Sequence, residues 1–194
     1  MGKQIHLRKI EALFEKSPVV EFKSLERVIG KSKNSSYAKL AVHNLLKTGK
    51  IKKLGKGVYT KHNNLSLAVF SFKPSYLGLQ SALSHHGVWD QATVPIIITT
   101  KGVRTGLRLI MGGNVLVRRI QKKYFFGSEY LEESDFYLPY SDLEKTFIDM
   151  VVFNQNIDEE SLGRLKKRVN YQKLFKYLRQ YPSKISERVL KLVK

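Results

Sequence analysis

Between Phe22 and Tyr59, two short amphipathic segments, a polar turn and a basic glycine-containing hairpin follow one another without interruption. In the first segment Phe22, Leu25, Val28 and Ile29 recur at helical spacing, and Gly30 stands where a left-handed residue commonly ends a helix. After Lys31-Ser32-Lys33, the run Asn34 to Thr48 places Ala38, Val42, Leu45 and Leu46 on one face, with Asn34 or Ser35 as its N-cap. Ile51 to Tyr59 then reads as two strand-like stretches about a turn whose glycines can take positive φ. Upstream, Ile5 to Lys16 carries Leu7, Ile10, Leu13 and Phe14 on one side, and Ser17-Pro18 closes it. The pattern predicts a winged helix-turn-helix over residues 1–62. The competing reading is a helix pair and hairpin that simply pack, their charges forming a solvated face.

In the winged-helix reading Asn34 to Thr48 is the recognition helix. At about 100° per residue, Ser36, Tyr37, Leu40, His43, Asn44 and Lys47 lie opposite the apolar stripe, with Lys39 at its edge. Hydroxyl and amide groups suit base edges and phosphates, lysines suit phosphate, and an exposed leucine suits a thymine methyl. Lys31, Lys33 and Asn34 in the turn, with Lys53 and Lys56 in the hairpin, complete the expected duplex-DNA contacts.

Charge points the same way. The formal charge of +19 is uneven: residues 1–62 carry fifteen Lys and Arg against four acids, 63–153 nine against eight, and 154–194 eleven against four. Two basic ends flank a nearly neutral middle, which a polyanionic partner explains better than solubility does, since solubility needs only a modest charge of either sign. The absence of cysteine removes disulfides, thiol nucleophiles and thiolate-bound zinc. No apolar stretch approaches the roughly 20 residues of a membrane span, and the start of the chain lacks a signal core, so no membrane association and a cytoplasmic location are expected.

A polar stretch at Thr60 to Asn64 marks the expected domain boundary, and residues 63–194 read as a mixed α+β domain with a basic helical tail from about 154. Leu65 to Phe72 is expected as a strand, Tyr76 to His86 as a helix stopped by Gly87, and Pro95 to Thr100 as a strand. Leu107 to Met111 and Asn114 to Ile120 flank Gly112-Gly113 as a hairpin, giving a small antiparallel sheet. Tyr124 to Gly127 supplies aromatic packing, and Phe136 to Leu138 forms a further strand. Ser141 to Phe153 is expected as a helix opened by a Ser141/Glu144 capping box, with Leu143, Phe147, Met150 and Val151 inward. Three short helices fill the tail, packed through Leu162, Leu165, Val169, Leu174, Phe175, Leu178, Ile185, Val189 and Leu192.

The segments Ser75 to Gly87 (containing Ser81-Ala82-Leu83-Ser84-His85-His86-Gly87), Ile98 to Lys101, Arg104, Tyr124 to Gly127 and Asp142 to Asp149 resemble the AbiEi-type antitoxins. The likeness spans about residues 20–153, and the tail falls outside it. The resemblance implies an N-terminal winged helix and a C-terminal antitoxin domain of a type IV toxin–antitoxin, or abortive-infection, system of phage defence. It further implies a regulator that represses its own operon and neutralises a nucleotidyltransferase-type toxin; as winged-helix proteins commonly do, it is expected to meet inverted repeats in its promoter. Monomeric and homodimeric binding are equally compatible with it.

Catalytic, metal and cofactor sites are not expected. His85 and His86 are adjacent, so on a helix they diverge by about 100° and cannot grip one ion together. Lys145 and Asp149, at i and i+4, read as a helix ion pair, and no P-loop, G-x-G-x-x-G or G-x-S-x-G occurs. Lys101, Arg104, Arg108, Arg118 and Arg119 supply a candidate partner-binding patch on the expected sheet or its loops; charges that protect strand edges are the alternative. The cluster Arg164-Lys166-Lys167-Arg168 is either a further nucleic-acid contact or a solvated surface. The competing functional class is a nucleic-acid-processing enzyme or RNA-binding factor that uses the N-terminal module for docking.

Overall fold

Amphipathic spacing and glycine placement govern the first part of the chain in the computed structural model, which describes residues 2–29 and 35–193. Helix α1 (Gly2–Lys16) buries Ile10 and Phe14; strand β1 (Val20–Glu21) leads into α2 (Phe22–Ile29), which buries Leu25 and Ile29. Helix α3 (Ser35–Lys47) follows with Ala38, Ala41, Val42 and Leu45 buried, then β2 (Lys52–Gly55) and β3 (Val58–Thr60). These strands form an antiparallel sheet in the order β1-β3-β2. Gly57, at φ 70°, makes the hairpin turn and offers its carbonyl to the Phe22 amide at 2.8 Å, tying the hairpin to the start of α2. One apolar cluster unites α1, α2, α3, Ile51 and Tyr59.

Leu65–Phe72 is a 3₁₀ helix, not the expected strand. The run is apolar without alternation, and Leu67, Ala68 and Val69 are buried consecutively, so period alone does not separate the two states. The Asn64 side chain decides it locally: its Oδ1 accepts from the Ser66 amide at 2.8 Å and opens a helical turn. Compact units divide at the last residue of this segment. The first comprises Met1–Ser71 with Leu109–Gly113, the second Phe72–Arg108 with Asn114–Lys194. Within the first, Leu65 lies so close to Gly113 that a Cβ there would sit 2.3 Å from Leu65 Cδ1.

A six-stranded sheet of order β6-β7-β5-β4-β9-β8 forms from β4 (Ser75–Leu77), β5 (Ile96–Thr99), β6 (Gly106–Ile110), β7 (Gly113–Arg119), β8 (Ser128–Glu133) and β9 (Phe136–Ser141). It is mixed rather than antiparallel: β5 runs parallel to β7 and β4 parallel to β9. The helix expected from Tyr76 begins later, as α4 (Gln80–His85), because Ser75–Leu77 is drawn into the middle of the sheet between β5 and β9. Gly87, at φ 66°, ends α4 as expected. Met111 and Gly112, both at positive φ, make the β6–β7 turn, one residue before the expected Gly112-Gly113 pair. Strand β8 pairs antiparallel with β9 along its whole length, outside the expected strands.

Helix α5 (Leu143–Val152) is buried around nearly its whole circumference, Glu144, Lys145, Thr146 and Asp149 included. The tail causes this. Helices α6 (Glu159–Arg168), α7 (Tyr171–Leu178) and α8 (Ser183–Val193) bring Leu165, Val169, Leu174, Leu178, Tyr181 and Val189 into one core with Phe147, Ile148 and Met150. Two expected packing residues of the tail, Phe175 and Leu192, are instead exposed. No helix among the described residues is long and apolar enough to cross a membrane.

Candidate nucleic-acid interface

The outward face of α3 follows directly from its buried one. With Ala38, Val42 and Leu45 inward, Ser36, Lys39, Leu40, His43, Asn44 and Lys47 are exposed. Leu40 is 55% exposed. Lys53 and Lys56 are exposed on the β2–β3 hairpin. Lys31, Lys33 and Asn34 lie outside the described residues.

The α3 surface has two flanks. Ser36, Lys39, His43 and Lys47 present one polar, cationic side. Tyr37, Leu40 and Asn44 instead line a groove of about 420 Å³ with Leu7, Ala41 and Thr48. Tyr37 is half-buried, its ring centroid 5.7 Å from that of His6 on α1, so part of the expected recognition face is committed to helix packing. Ion pairs of Lys50 with Glu11 at 3.1 Å and of Lys61 with Glu15 at 2.6 Å hold α1 against the flanks of the sheet.

The expected partner-binding cations do not make one patch. Arg118 and Arg119 are consecutive on β7, opposite Ile98 and Thr99, and so point to opposite faces of the sheet. Arg108 is half-buried and donates to the Arg104 carbonyl at 2.6 Å. The Nε atoms of Arg108 and Arg118 are buried without a hydrogen-bond partner among the described residues. Lys101, Arg104 and Arg119 are exposed.

Polar groups converge elsewhere, at the centre of the second unit. Lys145 and Asp149 form their ion pair with neither side chain exposed to solvent, and the Tyr76 hydroxyl donates to Asp149 Oδ2 at 2.7 Å. The rings of Tyr76, Phe126 and Tyr181 surround the ammonium at 5.5, 5.5 and 6.0 Å. Burial pushes the Asp149 carboxyl up and the Lys145 ammonium down, each against the pull of its partner's charge. Burial, reinforced by Asp149, also raises the Tyr76 phenol well above its ordinary range. Asp142, not Ser141, caps α5: its Oδ1 accepts from the Lys145 amide at 2.7 Å, while Ser141 is the last residue of β9. Its other oxygen receives the Tyr177 hydroxyl at 2.9 Å and Lys173 Nζ at 3.0 Å, and Glu144 accepts from the Asn170 amide at 2.7 Å. Burial opposes the charge on Lys173, but the carboxylates of Asp142 and Glu144 outweigh it and hold that ammonium protonated above its usual range.

The adjacent histidines separate as their spacing dictates. His85 stacks on Tyr140 with centroids 4.1 Å apart, and His86 Nε2 lies 2.9 Å from the Ser141 carbonyl. Among the described residues no group of three or more His, Asp or Glu is gathered as a metal site.

No family model matches the chain, and no curated protein matches it. A crystal structure of the RV2827C protein from Mycobacterium tuberculosis is similar, with a TM-score of 0.65 and 16% sequence identity, over 97% of this chain and 76% of that one. The likeness is one of fold.

Phe175, expected as a packing residue of the tail, instead exposes its ring. The signal was present: measured from the mid-line of the Leu174/Leu178 ridge of α7, Tyr171 and Phe175 lie about 40° and 80° away, toward the flank that carries Arg179.

Proposed function

We propose that this chain is a DNA-binding transcriptional regulator that represses its own operon, with the first unit acting as a winged helix-turn-helix, and that it also antagonises a nucleotidyltransferase-type toxin. The observation that carries the DNA-binding half is the exposed Ser36/Lys39/His43/Lys47 flank of α3, in a unit that also exposes Lys53 and Lys56 on a two-stranded hairpin. Helix order α1-β1-α2-α3-β2-β3 supports the same assignment, because it places a helix with a free polar face just before a basic hairpin. The Lys side chains supply phosphate contacts, and His43 with Asn44 supplies hydrogen bonds to base edges.

The toxin-antagonist half rests on the resemblance of Ser81 to Gly87 and Asp142 to Asp149 to AbiEi-type antitoxins. Those segments form α4 with its C-terminal turn, and α5 with its N-cap; most of their side chains are buried. They therefore act as scaffold, and toxin contacts belong to the exposed surface around them. An enzymatic reading through Asp149 has little support, since a fully buried carboxylate paired with Lys145 offers no face to a substrate.

A gel-shift titration against the upstream promoter duplex and a scrambled duplex of equal length, repeated across salt concentrations, tests the regulator. Lys39→Ala and Lys56→Ala should weaken binding to both duplexes alike, each reducing the log–log salt slope by about 0.9 if one phosphate contact is lost. His43→Ala and Asn44→Ala should instead erode the preference for the promoter. Uniform loss for all four variants on both duplexes would overturn the assigned reading face. For the antitoxin role, the full-length Lys39→Ala/His43→Ala protein should still rescue cells expressing the partner toxin; loss of rescue together with DNA binding would refute a separate antagonist surface.

A further inference from the structure

We infer that the Tyr171–Phe175–Arg179 stripe of α7, with Lys176 beside it, is a stacking site for single-stranded nucleic acid, distinct from the duplex-binding face of α3. The rings of Tyr171 and Phe175, one helical turn apart, are 37% and 47% exposed, with centroids 6.4 Å apart and planes inclined at 36°. The Tyr171 hydroxyl donates to the Lys166 carbonyl at 2.9 Å, which holds that ring in place at the junction of α6 and α7. Phe175 has no polar atom that would draw it to the surface, and Leu174 and Leu178 already fill the buried side of the helix.

Charge identifies the ligand class. From Arg164 to Arg179 the chain has seven Lys and Arg and no acid. Arg164 is held by Asp90 and Glu160, Arg168 by the His86 carbonyl, and Lys173 by Asp142 and Glu144. Lys167, Lys176 and Arg179 are exposed in the same stretch of α6 and α7. Arg179 follows Phe175 by four residues and continues the aromatic stripe, while Lys176 flanks it. Outward-facing rings interleaved with cations match a strand whose bases are available for stacking and whose phosphates need neutralising. A duplex keeps its base faces inside its own stack, so these rings find no partner there.

Fluorescence anisotropy with full-length protein tests the site, using labelled oligo(dT) and oligo(U) of roughly 12 nucleotides, a length within single-strand site sizes, and a duplex of equal length. Tyr171→Ser/Phe175→Ser should lower single-strand affinity about tenfold or more while leaving duplex affinity unchanged. Lys176→Ala/Arg179→Ala should reduce the single-strand salt slope by about 1.4, from two phosphate contacts. Phe175→Trp keeps a stacking surface and should show fluorescence quenching when oligo(dT) is added. An α3 variant, Lys39→Ala/Lys47→Ala, should show the reverse pattern, losing duplex and keeping single-strand binding. Unchanged single-strand affinity in the double serine variant, equal loss on duplex, or no quenching at Trp in position 175 would each overturn the stacking site without bearing on α3.

Discussion

Replacing Asp149 by Asn leaves the Lys145 ammonium in the core without its counter-charge, and the structure sets the size of the effect. Neither side chain is exposed, so no solvent screens the loss, and breaking a buried pair of this kind costs about 3–5 kcal/mol. Lysine has one escape: it can give up its proton. From an ordinary value of 10.5, doing so at pH 7 costs at most about 5 kcal/mol, at 1.36 kcal/mol per unit, and at pH 9 only about 2 kcal/mol. The sign follows from linkage. In the variant the unfolded chain holds the Lys145 proton more tightly than the folded one, so stability rises with pH toward the unfolded value. Asp149→Asn should therefore lose about 3–5 kcal/mol at pH 7, roughly 12–20 °C in the melting temperature of the second unit, and about 2 kcal/mol or less at pH 9. Urea titrations followed by circular dichroism at both pH values measure this. A deficit that stays constant between pH 7 and 9, or one below about 1 kcal/mol at pH 7, would refute the burial argument. The same reasoning predicts that Tyr76→Phe/Lys145→Met/Asp149→Leu, which removes the ion pair and its tyrosine hydrogen bond together, is at least as stable as the parent.

Burial, with the neighbouring His86, lowers the His85 value from 6.5. Its stabilising contribution is therefore complete above that value and is lost as pH falls through the folded-state value; His85→Gln should flatten thermal stability between about pH 7 and 5. Asp142→Ala removes the α5 cap and the acceptor for Tyr177 and Lys173, and should cost about 2–3 kcal/mol with faster amide exchange in α7. In that variant the Tyr177 phenol, now pushed up to about 12 by burial and by Asp142, should titrate lower in an ultraviolet pH scan. Gly127→Ala places a Cβ 2.9 Å from that of Lys145 at a backbone φ of 66°, and should lower the urea midpoint by an amount equivalent to about 2 kcal/mol or more. An unchanged midpoint would show that the Lys145 pocket yields freely.

Local physics made much of this chain legible. Apolar residues at helical spacing placed α1, α2 and α3 with their buried faces, and a glycine at positive φ marked the β2–β3 turn. The exposure of Ser36, Lys39, Leu40, His43, Asn44 and Lys47 follows from the same period, whereas Tyr37 is half-buried because its ring packs beside His6 of α1. The tail helices were likewise carried by their own patterns.

What local pattern could not supply was decided by partners distant in the chain. Tyr76 has the neighbours of a helix residue, but strands β5 and β9 capture its segment, and β4 joins the sheet through pairings 20 to 24 and 63 residues away in sequence. Ser141 fits a capping box, yet its place in β9 hands the cap to Asp142. Lys145 and Asp149 read as an ordinary i, i+4 pair, and only the closing of α6, α7 and α8 over α5 removes them from water. The sequence thus determined which segments are amphipathic, where turns fall and which ends are basic, because those properties reside in neighbouring residues. Tertiary structure alone decided which apolar surface found a partner, leaving Phe175 in solvent and a charged pair in the core, because burial belongs to the assembled neighbourhood and not to any segment by itself.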